Sequence, residues 1–533
     1  MNPATTGAIA PVDARALPEY SPTTYVDFSQ PQHRAEFEKA LADVRASFGR
    51  EYSLVIGGER LKGEKTFAST NPAKPSEVVG TFQAASAAQA SGAVETAYRT
   101  FASWSRVPAA ERAAYLVEAA KRMRERRHHF SAWMVLEIGK SWGEADADTA
   151  EAIDFLEFYA REMLRYAGPQ PVHQMPGEKD TLVYLPIGVG AVIPPWNFPL
   201  AICVGMTVAA VVTGNTVVLK PASDTPGIAW QFFALMEEVG LPAGVINYVT
   251  GGGAVAGDTI VRHPKTRFIS FTGSKAVGIG INKLAADVVP GQIWLKRVVA
   301  EMGGKDGIVV DDEADLDAAA LGVAQSAFGF CGQKCSACSR VIVVDSVHDA
   351  FVEKLLAQVA RFVNVGDPAV YGTYMGPVAS DRAMKTILEY IEIGRKEGKL
   401  LTGGGRVPGA EGWFVQPTVF DDIPATGRLS LEEIFGPVLA IIRAKDYDEA
   451  LAIANNTEYG LTGAVYSKNP AKIQRAREEF FVGNLYLNRK CTGAMVGCHP
   501  FGGFNMSGTD SKAGGRDYLL LFLQGKSIAE KLG

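Results

Sequence analysis

A cysteine set among small residues is the feature of this sequence best suited to covalent chemistry. Residues 328–340 contain Cys331, Cys335 and Cys338 and lie between an Ala-rich segment and an apolar run. A thiolate at Cys335 could attack a carbonyl group if the chain also supplied a base, donors for the oxyanion and an acceptor for the group that leaves. We therefore interpret Cys335 as a nucleophile that needs those three supports.

Two other interpretations of the same cysteines are open at this point. Their C-x3-C-x2-C spacing can hold an iron–sulfur cluster with one open iron position. They could also be three small, buried core residues. The nucleophile interpretation requires only Cys335, with Cys331 and Cys338 as bystanders.

A glutamate on an aromatic helix face is a second candidate for a site. Glu151 lies on the same side of a predicted helix as Phe155 and Phe158, which follow it by four and seven positions. A carboxylate in such a setting is either paired within the core or placed at a functional site. The residue pattern alone leaves both interpretations open.

The segments that must position these residues alternate between strands and helices. We predict strands over 190–193, 216–219, 245–249 and 268–271, with helices over 200–212 and 226–239. After a strand at 307–310, an Ala-rich helix over 313–327 leads to Cys335. This alternation predicts an α/β fold with a parallel sheet. Prolines and asparagines interrupt the almost uncharged run 187–219, so we do not expect a membrane span there.

The first 170 residues carry a different pattern. After a loose arm, Phe37, Leu41, Val44 and Phe48 recur at helical spacing, hairpins are predicted over 54–82, and long helices follow over about 85–166. One of these helices carries a basic cluster, which we interpret as a solvated face and not as an anion site. The basic cluster consists of Lys121, Arg122, Arg124, Arg126, Arg127, His128 and His129.

Composition narrows the class of function. The chain has 533 residues, with 53 Lys and Arg against 58 Asp and Glu, and its formal net charge is −5. This balance gives no electrostatic footprint for nucleic acid or an anionic membrane, so we expect small-molecule partners and copies of the same chain. Six cysteines are too few for a disulfide framework and the first residues lack a secretory signal pattern, so we expect the cytoplasm.

A glycine turn after the strand at 268–271 is a weak candidate for a diphosphate site. Gly273, Ser274 and Gly278 lead into a predicted helix, whose first N–H groups and dipole would favour an anion. The full three-glycine fingerprint is absent, so a plain tight turn is the simpler explanation of these residues alone.

Seven ordered motifs connect these separate candidates. They are 195–199 (PWNFP), 220–222 (KPA), 271–274 (FTGS), 301–305 (EMGGK), 332–335 (GQKC), 433–437 (EIFGP) and 500–503 (PFGG). In order and spacing they resemble the motifs of the aldehyde dehydrogenase superfamily, over roughly residues 50–520. A chance match of this kind is improbable, which argues strongly against the iron–sulfur interpretation.

The resemblance implies a fold with a Rossmann-type cofactor domain, an α/β catalytic domain and a small β-flap for oligomerisation. We accordingly divide the chain into an N-terminal arm and helix (1–49), an NAD-binding domain (50–169 and 188–300), a catalytic domain (301–490) and the flap (170–187 and 510–533). Members of the superfamily associate through the flap, so a homodimer or an assembly of dimers is expected. No metal ion is expected.

The resemblance also implies catalytic roles. Cys335 would attack the aldehyde carbonyl as a thiolate, and the oxyanion of the thiohemiacetal would be held by the Asn197 amide and the backbone N–H of Cys335. After hydride transfer to nicotinamide, Glu301 would be the general base that activates a water to hydrolyse the thioester.

The expected cofactor is NAD, and the resemblance assigns it five side chains. Its diphosphate would lie near Trp196 and Ser274, and its adenosine ribose on Lys220. Its nicotinamide ribose would lie on Glu433, with Phe435 packing nearby.

One departure from the family pattern concerns the choice between NAD and NADP. Many NAD-preferring members have a glutamate three residues after the lysine, where this chain has Ser223. Without that charge a 2′-phosphate is not repelled, so some NADP use stays open. We favour NAD because the branch described next mostly prefers it.

Residues 484–497 (NLYLNRKCTGAMVG) resemble the substrate-anchor region of the branch that oxidises L-glutamate γ-semialdehyde, formed from 1-pyrroline-5-carboxylate, to L-glutamate in proline catabolism. In that branch a serine after the nucleophile and the N–H groups of a Gly-Ala pair hold the α-carboxylate, two phenylalanines sandwich the aliphatic part, and a helical glutamate lines the pocket. The matching residues here are Glu151, Phe198, Ser336, Gly493, Ala494 and Phe501.

Three alternatives to this function are kept. The substrate could be another small semialdehyde such as succinate semialdehyde, or the reaction could acylate coenzyme A. The chain could also be a catalytically silent structural member of the fold, although the joint presence of Cys335, Asn197 and Glu301 argues against that.

Overall fold

The computed structural model describes residues 9–13 and 16–532, so part of the predicted N-terminal arm, residues 1–8, 14 and 15, lies outside the described residues, as does residue 533. The described part of the arm has no helix or strand before residue 31. It is nevertheless anchored, because the Thr23 N–H donates to Asp154 Oδ1 at 2.8 Å and the Tyr20 hydroxyl donates to the Val496 carbonyl at 2.9 Å. The expectation of a loose arm is therefore wrong for this segment.

Hairpins and long helices fill the first part of the chain, as the spacing of apolar residues predicts. The helix α1 buries Phe37, Leu41 and Val44 of the predicted amphipathic stripe, whereas Phe48, the fourth predicted residue, follows the end of α1 and is half-buried. The elements are α1 (Pro31–Arg45), β1 (Arg50–Tyr52), β2 (Leu54–Ile56), β3 (Glu59–Leu61), β4 (Lys65–Asn71), β5 (Lys74–Ala84), α2 (Ala87–Trp104), α3 (Ala109–Glu125), α4 (Arg127–Ile138), α5 (Trp142–Tyr166) and β6 (Glu178–Pro186).

An alternation of strands and helices follows. Its elements are β7 (Val189–Ile193), α6 (Ala201–Val212), β8 (Thr216–Leu219), α7 (Pro226–Glu238), β9 (Ile246–Tyr248), α8 (Asp258–Arg262), β10 (Thr266–Thr272), α9 (Lys275–Ala286) and β11 (Arg297–Glu301). These five strands join β2 and β3 in a seven-stranded sheet with the order β11-β10-β7-β8-β9-β2-β3. It is parallel from β11 to β9, with β2 and β3 antiparallel at one edge. The predicted parallel α/β sheet is confirmed.

The rest of the chain builds a second sheet and three strands that lie outside it. Its elements are β12 (Asp306–Val310), α10 (Leu316–Phe328), β13 (Cys338–Val344), α11 (His348–Phe362), α12 (Asp381–Glu397), β14 (Lys399–Thr402), β15 (Thr418–Asp421), α13 (Arg428–Leu431), β16 (Val438–Ala444), α14 (Tyr447–Asn455), β17 (Tyr459–Gly460), β18 (Thr462–Tyr466), α15 (Pro470–Glu479), β19 (Asn484–Leu487), β20 (Phe504–Asn505) and β21 (Leu523–Lys531). The sheet order is β14-β15-β16-β13-β12-β18-β19, parallel except for β14.

The two sheets meet where the chain passes from β11 to β12. Only residues 302–305 separate the carboxyl end of β11 from the amino end of β12. A methyl group on Gly304 would lie 2.4 Å from the Cys335 carbonyl, so this link packs directly against the backbone of the candidate nucleophile. The carboxyl edge of the first sheet thus adjoins the segment that precedes β13.

Two further strands form a separate ribbon. β6 and β21 pair antiparallel along their whole length, from Pro186 opposite Leu523 to Glu178 opposite Lys531. Most residues of both strands are exposed or half-buried. Among the described residues, no helix has both the length and the apolar character that crossing a membrane requires.

Candidate active site

The turn before Cys335 is compact and strained. α10 ends at Phe328, and a short 3-10 turn over Gly329–Gly332 follows it. Phe330 and Cys331 have positive φ angles of 49° and 58°, a conformation that costs an L-residue about 1–3 kcal/mol. Both side chains are buried, and the Cys331 thiol donates to the Gly376 carbonyl at 3.0 Å. Packing around the turn therefore fixes where Cys335 emerges.

A cavity opens beside Cys335. Cys335 and Glu301 line it together with all six residues assigned to the substrate anchor, namely Glu151, Phe198, Ser336, Gly493, Ala494 and Phe501. The sequence reasoning missed other lining residues, chiefly Tyr159, Ile202, Met206, His499 and Tyr518. Because aromatic and aliphatic side chains dominate the wall, the cavity suits a small, partly aliphatic molecule.

The Cys335 thiol is protonated in this environment. Burial raises its pKa well above the ordinary value for cysteine, and the nearby carboxyl groups of Asp306, Glu433 and Glu301 raise it further. Nucleophilic attack therefore requires that a base take the proton or that a positive charge arrive near the sulfur.

Glu301 is a buried carboxyl group at the end of β11. Burial raises its pKa to about 8, although a hydrogen bond donated by the Ser511 hydroxyl opposes this rise. Ser511 contacts Oε1, whereas Oε2 is buried without a hydrogen-bond partner among the described residues. A carboxyl group with one free oxygen and a pKa near neutrality can accept a proton from water.

Asn197 lies in the loop between β7 and α6 and is buried. Its side-chain amide donates to the Gln333 carbonyl at 3.1 Å, two residues before Cys335. Asn197 does not line the cavity, unlike Cys335, Glu301 and the anchor residues. One of the two N–H groups of the amide is therefore used to hold the turn that carries Cys335. The amide lies next to the residue whose oxyanion it was predicted to stabilise.

Glu151 lies on α5 at the wall of the cavity and forms no ion pair with another described residue. Burial, followed by the nearby carboxyl group of Asp148, raises its pKa to about 8. Of the two interpretations left open by the sequence, the structure excludes a glutamate paired within the core.

A buried ion pair supports this wall of the cavity. The Lys140 ammonium contacts Asp148 at 2.8 Å, and both side chains are fully buried. The same ammonium lies 3.9 Å from the ring centroid of Phe198 and 4.8 Å from that of Phe330. Asp148 also accepts from the N–H of Ala201, the first residue of α6. One buried charge pair thus connects α5, α6, the cavity wall and the nucleophile's turn.

The anchor loop presents unused backbone donors. Gly493 has a positive φ of 81°, which glycine adopts without strain. No hydrogen bond to another described residue uses the N–H of Gly493 or Ala494. Ser336 is held beside them, because its carbonyl accepts from the Cys491 thiol at 3.4 Å. Two free N–H groups and one hydroxyl at the same cavity can bind a carboxylate.

The residues assigned to the adenosine ribose and the diphosphate follow β8 and β10. Lys220 is buried, its ammonium donates to the Pro221 carbonyl at 3.3 Å and to no other described residue, and burial lowers its pKa to about 8. Ser274 precedes α9, and its carbonyl accepts from the N–H of Gly278 at 2.9 Å. A methyl group on Gly278 would lie 2.5 Å from Met302 Sδ, so a larger residue there would require the Met302 side chain to move. Ser223 is exposed next to this lysine.

Glu433, the residue assigned to the nicotinamide ribose, packs against the 302–305 link. Glu433 Oε1 accepts from the Gly304 N–H at 3.0 Å, and burial raises the pKa of Glu433 to about 7. The rings of Trp196 and Phe435 pack edge to face with centroids 5.4 Å apart. These polar and aromatic groups fit a nucleotide cofactor, because they supply hydroxyl partners and flat packing surfaces.

The other two cysteines of the 328–340 stretch do not join Cys335. Cys331 and Cys338 are buried, and burial raises the pKa of each thiol. Cys338 interacts instead with the thiol of Cys491. The two groups of potential metal ligands found among the described residues contain no cysteine. This arrangement contradicts the iron–sulfur interpretation.

Comparisons with known proteins agree with this geometry. Residues 60–528 match the sequence model of the aldehyde dehydrogenase family, and the chain belongs to that family. Over 511 residues it is 57% identical to the 1-pyrroline-5-carboxylate dehydrogenase of Geobacillus thermodenitrificans (strain NG80-2), a match that covers 96% of this chain and 99% of the relative.

Solved structures of aldehyde dehydrogenases share the fold of this chain. The 1-pyrroline-5-carboxylate dehydrogenase from Thermus with bound NAD superimposes with a TM-score of 0.95 at 48% identity, covering 97% of this chain and 100% of that one. A betaine aldehyde dehydrogenase from Staphylococcus aureus in complex with NAD⁺ gives a TM-score of 0.87 at 30% identity, covering 93% and 98%. The fold class predicted from the sequence is confirmed.

Proposed function

We propose that this chain oxidises L-glutamate γ-semialdehyde, formed from 1-pyrroline-5-carboxylate, to L-glutamate with NAD as hydride acceptor, a step of proline catabolism. The observation that carries the proposal is a single cavity that joins Cys335 and Glu301 to the free N–H groups of Gly493 and Ala494. The first pair suits aldehyde oxidation, and the second suits a substrate with a carboxylate. High identity to the two 1-pyrroline-5-carboxylate dehydrogenases supports it.

The first chemical step is addition of the Cys335 sulfur to the aldehyde carbon. The S–C bond forms as the carbonyl π-electron pair moves to oxygen, and the thiol proton passes to a base. The N–H of Cys335 and the second N–H of the Asn197 amide hold the resulting oxyanion. When bound, NAD accepts the hydride that leaves the former carbonyl carbon, which becomes a thioester.

Glu301 completes the cycle by hydrolysis. Its free Oε2 takes a proton from a water molecule while the water oxygen adds to the thioester carbon. The C–S bond then breaks, so that the carboxylic acid leaves and the Cys335 thiolate regains a proton. The pKa of about 8 lets Glu301 accept and release that proton near neutral pH.

The cofactor site combines a buried lysine, Lys220, with half-buried and exposed side chains. The Lys220 ammonium and the Glu433 carboxylate would bind the two riboses, Ser274 and Trp196 would hold the diphosphate, and Phe435 would support the nicotinamide end. NAD is the main cofactor, and the exposed Ser223 permits some use of NADP because no carboxylate occupies that position.

Glu151 favours a substrate that carries an ammonium group. L-Glutamate γ-semialdehyde has an α-ammonium beside its α-carboxylate, whereas succinate semialdehyde has only the carboxylate. A cation next to Glu151 would offset the desolvation that raises its pKa to about 8. The glutamate semialdehyde is therefore the better match of the two candidates.

The domain division and the assembly belong to the same proposal. The first sheet spans residues 54–301 and forms the cofactor domain, and the second spans 306–487 and forms the catalytic domain.

The exposed β6–β21 ribbon has too little buried surface to be stable alone, so it pairs with other copies in a homodimer or an assembly of dimers. All six cysteines are free, which suits the reducing cytoplasm.

A substrate panel tests the proposed function. We expect purified protein with NAD to show a kcat/KM for L-glutamate γ-semialdehyde at least about tenfold above that for succinate semialdehyde or acetaldehyde, because only the first engages both Glu151 and the anchor loop. Formation of an acyl-CoA in the presence of coenzyme A is not expected. A higher kcat/KM for succinate semialdehyde would contradict the assignment.

A further inference from the structure

We propose that His33, Glu36 and His128 bind one Zn²⁺ ion at the surface, between α1 and α4. None of the three residues lines the catalytic cavity. They combine two imidazoles with one carboxylate, a ligand set that zinc accepts. The fourth position would face solvent and hold water.

The spacing of the candidate ligands suits a metal ion. His33 and Glu36 are three positions apart on α1 and so share a face of the helix, while His128 is the second residue of α4. Glu36 Oε2 lies 3.9 Å from His33 Nδ1 and 3.6 Å from His128 Nε2, and one potential ligand atom of each residue lies within 4.8 Å of those of the other two. Zinc bonds of about 2.0–2.1 Å place tetrahedral ligands about 3.3–3.4 Å apart. Small side-chain rotations would close the site.

Neighbouring residues hold two of the ligands in place. The Gln32 side-chain amide donates to Glu36 Oε1 at 2.9 Å, which turns Oε2 toward the imidazoles. The His128 ring packs against the rings of Phe37 and Phe28, with centroids 5.5 Å and 6.3 Å away. The carboxylate and the half-buried imidazole are therefore preoriented toward the same point.

Arginines of the basic cluster line the same surface pocket as the candidate ligands, but each has an acidic partner other than Glu36. Arg124 pairs with Glu157, Arg126 with Glu238 and Arg127 with Asp146.

A second group of potential metal ligands, Asp311, Asp312 and Glu313, differs from this one because a lysine already pairs with it. There, the ammonium of Lys472 contacts Asp311 at 2.7 Å and contacts its two acidic neighbours as well, so a cation already fills the position. Glu36 has no lysine or arginine partner among the described residues.

A metal ion at this site would join two helices of different segments. α1 packs on α4 through an aromatic cluster that also includes Trp142, whose ring lies 4.4 Å from that of Phe37. Zinc would add a bond between them that exists only in the folded chain. Binding to the folded state alone raises the unfolding temperature.

The test measures zinc binding by the full-length chain. Four proteins are dialysed against ZnCl₂ and analysed for bound metal: wild type, His33→Ala, Glu36→Gln and His173→Ala. The first two variants remove one ligand each, and His173→Ala removes an exposed imidazole from another part of the surface. All four keep the six cysteines, so zinc held by thiols contributes equally.

We expect wild type and His173→Ala to bind one zinc ion per chain more than His33→Ala and Glu36→Gln, whose affinity should be weaker by more than about tenfold. ZnCl₂ should also raise the unfolding temperature of the first two more than that of the other two. Equal zinc content and equal temperature shifts in all four proteins would overturn the proposal. Circular dichroism before dialysis verifies that the variants are folded.

Discussion

The Ser511 hydroxyl donates a hydrogen bond to Oε1 of Glu301 and leaves the second carboxyl oxygen, Oε2, without a partner. The bond orients the carboxyl group and stabilises its charged form, so it opposes the burial that raises the pKa. Ser511 lies 210 positions further along the chain and belongs to none of the motifs from which a base could be predicted.

The first prediction concerns the pH dependence of thioester hydrolysis. Glu301 acts as a base only when ionised, so the rate should rise with pH and reach half its maximum near pH 8. Ser511→Ala removes a donor that stabilises the carboxylate, so the pKa should rise further and the midpoint should move to higher pH. The pH profile of the steady-state rate measures this shift. Ser346→Ala, in the exposed turn after β13, should leave the midpoint unchanged.

The second prediction separates the two halves of the reaction. Glu301→Gln should still form the thioester and release a burst of one NADH per active site, because the glutamine cannot activate water. The steady-state rate should then fall by about 10²–10⁴-fold. Stopped-flow absorbance of NADH resolves the burst. A full steady-state rate would remove Glu301 from its assigned role.

The third prediction tests the nucleophile. Cys335→Ala should abolish NADH formation and leave the dissociation constant for NAD within about twofold of wild type, since the sulfur contributes only to chemistry. Cys498→Ala is the matched control, because Cys498 is exposed and does not line the cavity. Retained turnover in Cys335→Ala would contradict the mechanism.

The fourth prediction concerns cofactor choice. Ser223→Glu places a carboxylate three residues after Lys220, where it would repel a 2′-phosphate by about 1 kcal/mol, or about fivefold in affinity. The ratio of kcat/KM for NAD to that for NADP should rise accordingly. Ser346→Glu adds the same charge elsewhere on the surface and should leave the ratio unaltered. An unchanged ratio in Ser223→Glu would show that position 223 does not face the adenosine ribose.

The fifth prediction concerns stability. Lys140→Met leaves Asp148 buried without its cation, which should lower the free energy of unfolding by about 3–5 kcal/mol. Urea denaturation followed by tryptophan fluorescence measures the loss. Lys354→Met breaks the exposed pair with Asp317, which solvent screens, and should lower the free energy of unfolding far less. Equal losses in the two variants would mean that the buried Lys140–Asp148 pair stabilises the fold no more than an exposed pair does.

The sequence predicted those parts of the site that lie in short ordered motifs. Cys335, Glu301 and the residues that the family resemblance assigned to the substrate anchor line one cavity. The apolar periodicity predicted the strands and helices that carry them, but not that they would meet. Glu151 stayed ambiguous, since helical spacing shows which residues share a face but not which element that face meets.

Contacts between distant segments could not be predicted. Tyr159 and Tyr518 stack with ring centroids 5.6 Å apart although 359 positions separate them, and no local pattern indicates that pairing. The positive φ angles of Phe330 and Cys331 could not be predicted either, because glycine is the residue that usually indicates such a conformation in a sequence. The anchored arm was misjudged because its partners Asp154 and Val496 lie far along the chain.

The contact between Lys140 and Phe198 restricts how the substrate range could be engineered. The ring that lines the cavity also covers a buried ammonium at 3.9 Å. A smaller residue at position 198 would make room for bulkier aldehydes, but it would also admit water to the buried charge pair and loosen the start of α6. Libraries meant to broaden specificity should therefore vary Ile202 or Met206, which line the same cavity without taking part in that ion pair.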